Sequence, residues 1–316
     1  MKIGILYIAT GRYINFWKVF YKSAEKYLLL EHEKHYFVFS DVKTKILGEE
    51  ENVTKIYQEK LGWPYDTLMR FDMFLKVEKE LENMDYIYFF NANMEVLKPI
   101  GEEILPKRES LMAIRHPLQY NRLREEFSYE SDPKSVAYIP PNEGKYYFMG
   151  GLNGGKAKDY LHMVRILDAN TKEDLKNGVV AVWHDESHIN KYLLDKEPLI
   201  VAPQYAWPEG LVMDVVDYKD YGYLKSNDDI KIILHDKYHP RFGGAYWMRN
   251  SPHKNIFVEK ISYIIYSKLT ECNDFYRNYQ YKKQNGLKIN FKIELYRKYN
   301  ALKRLVLNQI KDRFKL

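Results

Sequence analysis

The sequence predicts an α/β fold with a mostly parallel, Rossmann-like sheet flanked by helices, followed by a basic and largely helical C-terminal extension. Over the first 250 residues, short apolar runs alternate with helical patterns, which is the signature of parallel strands joined by crossovers. With 316 residues, 46% hydrophobic and 29% charged, the chain can bury one large core and is not a disordered polypeptide. The charge is uneven. Residues 254–316 carry 15 Lys/Arg against 5 Asp/Glu, so the tail is strongly basic and the remainder mildly acidic. The expected division is therefore a catalytic-type body over 1–250 and an extension over 251–316.

The elements follow in order. Ile3 to Ala9 reads as the first strand, ended by Thr10-Gly11-Arg12, and a helix is expected from about Tyr13 to Leu30 with Phe16, Phe20, Ala24 and Tyr27 on one face. His35 to Phe39 is a second strand closed by Ser40-Asp41; Thr67 to Leu81 reads as helix, and Asp85 to Phe90 as a buried strand. Three strand ends carry informative chemistry: Ala9-Thr10-Gly11-Arg12-Tyr13, Asn91-Ala92-Asn93 and Met149-Gly150-Gly151. Ligands of open α/β sheets gather at such carboxyl ends.

Several classes are excluded or disfavoured. A single cysteine, Cys272, permits no internal disulfide and no thiolate metal cluster, as expected of a reducing compartment. There is no G-x-G-x-x-G and no G-K-[ST], so neither a dinucleotide fold nor a phosphate-cradling hydrolase loop is indicated. The first apolar run is too short for a signal peptide and no stretch is long enough to span a membrane, so a cytoplasmic location is expected.

The string Trp183-His184-Asp185-Glu186-Ser187-His188-Ile189-Asn190-Lys191-Tyr192 carries the chemistry. Taken alone, an Asp-Glu pair at a helix start is most simply a cap, with Asp185 as the capping residue and Ile189, Tyr192 and Leu193 on the buried face. The whole string, however, resembles the family-6 glycosyltransferases, which include the ABO blood-group enzymes and the α1,3-galactosyltransferases. Further matches occur in the same order: Ala9 to Tyr13, Ser23-Ala24-Glu25-Lys26, Glu126-Phe127-Ser128-Tyr129-Glu130, Ala137-Tyr138-Ile139-Pro140, Met149-Gly150-Gly151 with Gly154-Gly155, and Arg249-Asn250. The resemblance covers roughly residues 1–250.

That resemblance implies a GT-A fold and transfer of Gal or GalNAc from a UDP-sugar in α1,3 linkage with retention, usually to a β-galactoside carrying fucose. It implies that Glu186 is the catalytic carboxylate, acting as nucleophile or as stabiliser of an oxocarbenium ion. It assigns donor contacts to Ile8, Ala9, Thr10 and Tyr13 around the uridine, to Arg70, to Asn91 and Asn93, to Met149, Gly150 and Gly151, and to His184 and Asp185. His116, Ser128 and Trp183 fall on acceptor positions. Arg249 matches a C-terminal arginine that closes over the donor, and Lys237 and Arg241 are added by position as further cations for the leaving diphosphate.

Two departures stand out. Most members carry Asp-x-Asp, which binds Mn²⁺, where this chain has Asn91-Ala92-Asn93. Hard divalent cations need anionic oxygen ligands, so the expectation is metal independence and no cofactor, the alternative being a site rescued by Glu95. The family's acceptor-binding Asp is also missing after Tyr205-Ala206-Trp207, where Pro208 and then Glu209 follow; Glu209 is the candidate substitute.

Donor choice turns on Gly151, since Gly there accompanies GalNAc transfer and Ala accompanies Gal transfer in the family. One methyl discriminates by about 1–3 kcal/mol. Met149 pulls the other way, because Met accompanies Gal specificity in the B-type enzyme. The expected partners are UDP-GalNAc and an oligosaccharide or glycolipid acceptor. A UDP-Gal enzyme and a non-catalytic carbohydrate-binding protein are the alternatives.

In the tail, Leu295, Tyr299, Leu302, Val306 and Ile310 recur at helical spacing among Lys298, Lys303, Arg304 and Lys311. Two readings of this basic amphipathic helix stand side by side: peripheral contact with the anionic inner face of a membrane, or packing on the body with its charges in water. No nucleic-acid module frames the lysines.

Overall fold

The computed structural model describes residues 1–211 and 229–237. Its core is a seven-stranded sheet of β1 (Lys2–Ile8), β2 (Glu33–Ser40), β3 (Val53–Tyr57), β4 (Tyr86–Phe90), β6 (Leu111–Arg115), β7 (Phe148–Lys156) and β8 (Leu199–Val201). The order is β3-β2-β1-β4-β7-β6-β8; every pairing is parallel except those of β7, which runs antiparallel to β4 and β6. Three further short strands, β5 (Met94–Val96), β9 (Trp207–Pro208) and β10 (Ile232–Leu234), form a small second sheet in the order β5-β10-β9.

The apolar runs become strands because both faces are covered, as in parallel sheets generally. In β1, Ile3, Ile5 and Tyr7 pack with Phe20 and Ala24 of α1 (Trp17–Tyr27), whereas Leu6 faces α3 (Arg70–Leu75) and α5 (Ala157–Lys176) on the other side. The same alternation sends Tyr88 and Phe90 of β4 to the first face and Ile87 and Phe89 to the second. The strands expected at 3–9, 35–39 and 85–90 are thus present, each shifted at its ends by no more than two residues.

Two helical expectations are corrected. The segment expected as helix from Tyr13 to Leu30 opens as a 3-10 turn over Gly11–Phe16, and α1 stops at Tyr27 because Leu28 is extended and Leu29 takes a positive φ. The single helix expected over 67–81 is three short ones, α2 (Tyr65–Leu68), α3 and α4 (Glu78–Leu81). Met69 and Val77 leave helical geometry at the two breaks. Arg70, Phe71, Met73, Phe74, Val77 and Leu81 are all buried, and these residues occupy more of the circumference than one face of a straight helix can offer.

The reversal at β7 also corrects the expected strand ends. Met149-Gly150-Gly151 lies near the amino end of its strand, not the carboxyl end; because β7 is antiparallel, that end reaches the same edge as the carboxyl ends of β1 and β4. Gly154 sits opposite Tyr88, and a β-carbon there would come within 2.2 Å of the Tyr88 ring. Gly154→Ala is expected to destabilise the fold by about 1–3 kcal/mol, read as a lowered urea midpoint. An unchanged midpoint would mean that the ring can move aside.

Among the described residues no helix is long and apolar enough to cross a membrane. The 250/251 boundary, the amphipathic tail helix, Cys272, Arg241 and Arg249 lie outside the described residues.

Candidate active site

The informative segments converge where β1, β4 and the start of β7 share an edge. The strands deliver Ala9 and Thr10, which are buried, with half-buried Ile8 and Tyr13 beside them. The Tyr7 hydroxyl donates to Ala92 O at 2.7 Å and so ties the end of β1 to the Asn-Ala-Asn segment. Gly11 takes φ +57 and its N–H donates to the Asp41 carboxylate at 2.8 Å, which turns the chain away from the strand.

Helix α6 (Asp185–Tyr192) brings the acidic pair to this edge. It is docked by Asn190, whose side-chain amide accepts from Phe148 N at 2.9 Å and donates to Phe148 O at 2.8 Å, as a neighbouring strand would. Ile189 and Leu193 are buried as expected, while Tyr192 is half-buried. Asp185 is not the cap. The capping position is His184, with φ +54 and no side-chain cap hydrogen bond, and Asp185 is the first helical residue. Instead Asp185 lies 2.8 Å from Arg70 Nη1, both side chains being almost fully buried.

Glu186 follows in the first turn, half-buried at the edge. Its two carboxylate oxygens accept separate hydrogen bonds at 2.8 Å, one from the Tyr147 hydroxyl and one from Gly150 N–H. A β-carbon on Gly150 would meet Asp185 Oδ2 at 2.9 Å and Glu186 Cβ at 3.0 Å, so glycine at 150 is what allows α6 this close to β7. Burial raises the Glu186 carboxyl above the usual range, and the hydrogen bonds from Gly150 and Tyr147 and the charge of Arg70 oppose that rise. Burial likewise pushes Asp185 up to about 7 in spite of Arg70.

Arg70 is a buried tie beneath the site. Its Nη1 donates to Gly150 O at 2.8 Å, and its guanidinium lies over the Phe89 ring at 4.3 Å. Asn153 also donates to Gly150 O and accepts from the Tyr160 hydroxyl, so the carbonyl of the glycine that feeds Glu186 is itself held from two sides.

The residues expected at the acceptor lie near Tyr147 or α6. His116 N–H donates to Tyr147 O at 2.9 Å, and its ring meets the Tyr147 ring edge-on at 5.7 Å. Its Nδ1 accepts from Leu118 N–H, and burial together with Arg122 lowers its pKa to about 4, so the imidazole is neutral near pH 7 with its proton on Nε2. Ser128 is half-buried and donates its backbone N–H to Gln119 Oε1 at 3.0 Å. Trp183 is half-exposed, with its N–H donated to Ser187 Oγ. The His184 ring donates through Nδ1 to Ala181 O and stands edge-on to exposed Trp63 at 5.3 Å.

The Asn-x-Asn segment offers a poor cation site. Asn93 Nδ2 donates to His235 O at 2.6 Å, and His235 N–H donates back to Asn93 O at 2.8 Å. Glu95 accepts from His235 Nε2 at 2.7 Å, and Glu209 lies 3.4 Å from His235 Nδ1 and accepts from Asp236 N–H. The carboxylates considered as a metal rescue (Glu95) and as an acceptor contact (Glu209) therefore flank one histidine. Among the described residues no group of three or more His, Cys, Asp or Glu side chains is arranged to hold a metal ion. Two amides and a histidine-bound Glu95 do not fit the hard divalent cation that the fold family implies.

At Gly151 two side chains bear on the donor-choice expectation. A β-carbon there would meet Met149 Cε at 2.5 Å and Asn91 Nδ2 at 2.6 Å, so the space beside the glycine is bordered by the movable ends of two side chains. Lys237, the last described residue, is half-buried in a turn. Tyr147, Gln119, Asn153 and Asn190 were not anticipated at the site. Only Asn190 had a signal, its place in the 183–192 string.

The family model of glycosyltransferase family 6 matches residues 1–220. The chain is 35% identical over 237 residues to the O-antigen biosynthesis glycosyltransferase WbnI of Escherichia coli, covering 75% of this chain and 95% of that one. It is 34% identical to the histo-blood group ABO system transferase 1 of Rattus norvegicus and 27% identical to the globoside alpha-1,3-N-acetylgalactosaminyltransferase 1 of Homo sapiens. In both cases 66% of this chain is aligned, and it spans 62% of the animal protein's length.

Proposed function

The chain belongs to glycosyltransferase family 6, and from that premise we propose that it moves GalNAc from UDP-GalNAc in α1,3 linkage, with retention and without a metal ion, to a β-galactoside that carries fucose. The observation that carries the reading is Glu186, a carboxylate at the sheet edge with both oxygens oriented by Tyr147 and Gly150. In the reaction the bond from the anomeric carbon to the UDP oxygen breaks, and its electron pair leaves with UDP. The acceptor oxygen forms the new bond on the face that UDP vacates and gives its proton to the departing diphosphate. Glu186 offsets the positive charge at the anomeric carbon, by covalent attachment or as an ion pair.

Asp185 is proposed to accept from donor-sugar hydroxyls. Its Oδ2 faces Arg70 but receives no aligned hydrogen bond, so it keeps an acceptor position for a ligand. Ile8, Ala9, Thr10 and Tyr13 are proposed around the uridine, and His116, Ser128 and Trp183 around the acceptor. Glu209 is left out of the acceptor set because His235 and Asp236 N–H engage its carboxylate. With amides at Asn91 and Asn93, charge on the departing diphosphate falls to Lys237, Arg241 and Arg249.

For the donor sugar, glycine at 151 and the name of the human globoside relative support GalNAc. The Asn91 amide and the Met149 thioether are flexible groups, and their turning makes room for an acetamido group. Met149 itself favours the second reading, a UDP-Gal enzyme. A non-catalytic sugar-binding role is disfavoured by the Arg70–Asp185 pair together with an oriented Glu186, which sugar binding alone does not require. Transfer to 2′-fucosyllactose from UDP-GalNAc and from UDP-Gal, each with excess EDTA and with added Mn²⁺, tests all three. EDTA-insensitive transfer that favours UDP-GalNAc is expected. A requirement for Mn²⁺ overturns metal independence, and preference for UDP-Gal overturns the donor assignment.

A further inference from the structure

A polar chain runs from the acceptor side of the site to the catalytic carboxylate, and its direction is fixed by chemistry. Ser128 N–H can only donate, so Gln119 must present Oε1 to it, at 3.0 Å. That orientation leaves the Gln119 amide NH₂ to face Tyr147, whose hydroxyl pKa Gln119 lowers as a donor would. A phenol oxygen that already accepts from an amide keeps its own proton for another partner, and the Tyr147 hydroxyl lies 2.8 Å from Glu186 Oε1. Gln119 and Tyr147 are both buried, at 6% and 1% exposure, so water does not compete for these bonds.

We propose that Gln119 and Tyr147 are positioning residues for the transfer reaction: Gln119 locks the Tyr147 hydroxyl as a donor, Tyr147 holds Glu186 as an acceptor, and the Ser128 loop sets the orientation of both. The inference rests on Glu186 being the group at the anomeric carbon. It adds a reason for one side of the site to sense the other. An acceptor that shifts Ser128 or His116 disturbs the amide, then the phenol, and so the charge facing the donor sugar.

Among the described residues, a small set of titratable groups surrounds Glu186. Arg70 packs beneath it from α3, Asp185 precedes it on α6, and Tyr147 precedes Gly150 on the segment entering β7. Tyr129 stacks behind Tyr147 at 5.3 Å, and His116 stands at its edge in neutral form. Burial and the adjoining Glu186 charge push the Tyr147 hydroxyl far up, so it stays protonated across the working pH range and can only donate to the carboxylate. The sign of the effect follows. A donor on the carboxylate favours the ionised form, so removing it moves the acid limb of the rate profile to higher pH.

The test is kcat and donor KM against pH for the full chain and for Tyr147→Phe, Gln119→Glu and Glu186→Gln, with thermal melts to confirm folding. In Tyr147→Phe, kcat is expected to fall about tenfold or more with donor KM within about threefold, and the acid limb to rise by about one pH unit, since a unit corresponds to one lost charge-assisted bond. Gln119→Glu replaces the amide donor with an acceptor that draws the phenol proton away from Glu186, so its profile should move in the same direction. A fall in kcat with an unmoved acid limb in both variants would reduce the pair to packing and overturn the inference. If Tyr147→Phe fails to fold, Gln119→Glu decides alone. Near-normal turnover in Glu186→Gln would instead overturn the underlying role of Glu186, an outcome distinct from failure of the relay.

Discussion

Glu186→Gln is expected to lower turnover by about three orders of magnitude or more, the scale seen when a transition-state charge partner is removed, while UDP binding persists. The substitution keeps the shape of the side chain, and one amide oxygen can still accept from Gly150 N–H or Tyr147. What is lost is the negative charge opposite a developing oxocarbenium ion. The residues proposed around the uridine, Ile8, Ala9, Thr10 and Tyr13, are not touched by the change. Calorimetric titration with UDP alongside turnover separates the two. Turnover within a few-fold of the unmodified chain would remove Glu186 from the chemistry, and loss of UDP binding as well would show that the site had collapsed.

The second large effect is expected on stability. Arg70 and Asp185 are 5% and 2% exposed and lie 2.8 Å apart, so Arg70→Met leaves a carboxyl group buried without its cation and also removes the Gly150 O contact. Breaking such a pair from one side costs about 3–5 kcal/mol. The loss should depend on pH. In the native protein the Asp185 carboxyl already stands near 7, well above an ordinary Asp, because burial outweighs Arg70. Without Arg70 it rises further, so the folded variant binds its proton more tightly than the unfolded chain does. Its stability deficit is then smaller at pH 5.5, where Asp185 is protonated, than at pH 8. Melting temperatures at the two pH values check this, and Arg70→Met combined with Asp185→Asn should recover much of the deficit at pH 8. A deficit equal at both pH values would mean that lost packing, not charge, dominates.

The strands were readable because each had to be apolar on both faces, which packs Ile, Leu, Phe and Tyr into short runs. The segment 67–81 was misread for a related reason. Phe71, Phe74, Val77 and Leu81 satisfy helical spacing, and no Gly or Pro marks the breaks, which arise from tertiary packing of the added Arg70 and Met73. Arg70 itself has no sequence signal for burial; an arginine on a helix is ordinarily solvated. Glu186 and Asp185 were legible through the string around them, yet the capping role expected for Asp185 failed because its partner, Arg70, lies over a hundred residues away in sequence. Tyr147 was hidden by numbers: with 29 tyrosines in the chain, none stands out before the fold places one against Glu186.

The reversal of β7 has a bearing on how such a site can change over evolutionary time. Phe148 begins β7, and the long irregular stretch from His116 to Tyr147 precedes it. Inserting one residue between Phe148 and Gly150 would carry every following side chain to the opposite face and swing the Gly150 amide off Glu186. Residues added farther upstream, in the exposed turns around 121–126 and 141–145, leave that register intact and alter only the wall next to His116 and Ser128. On the proposed roles, a change of loop length remodels the acceptor wall while the Gly150–Glu186 contact stays frozen in phase with the sheet.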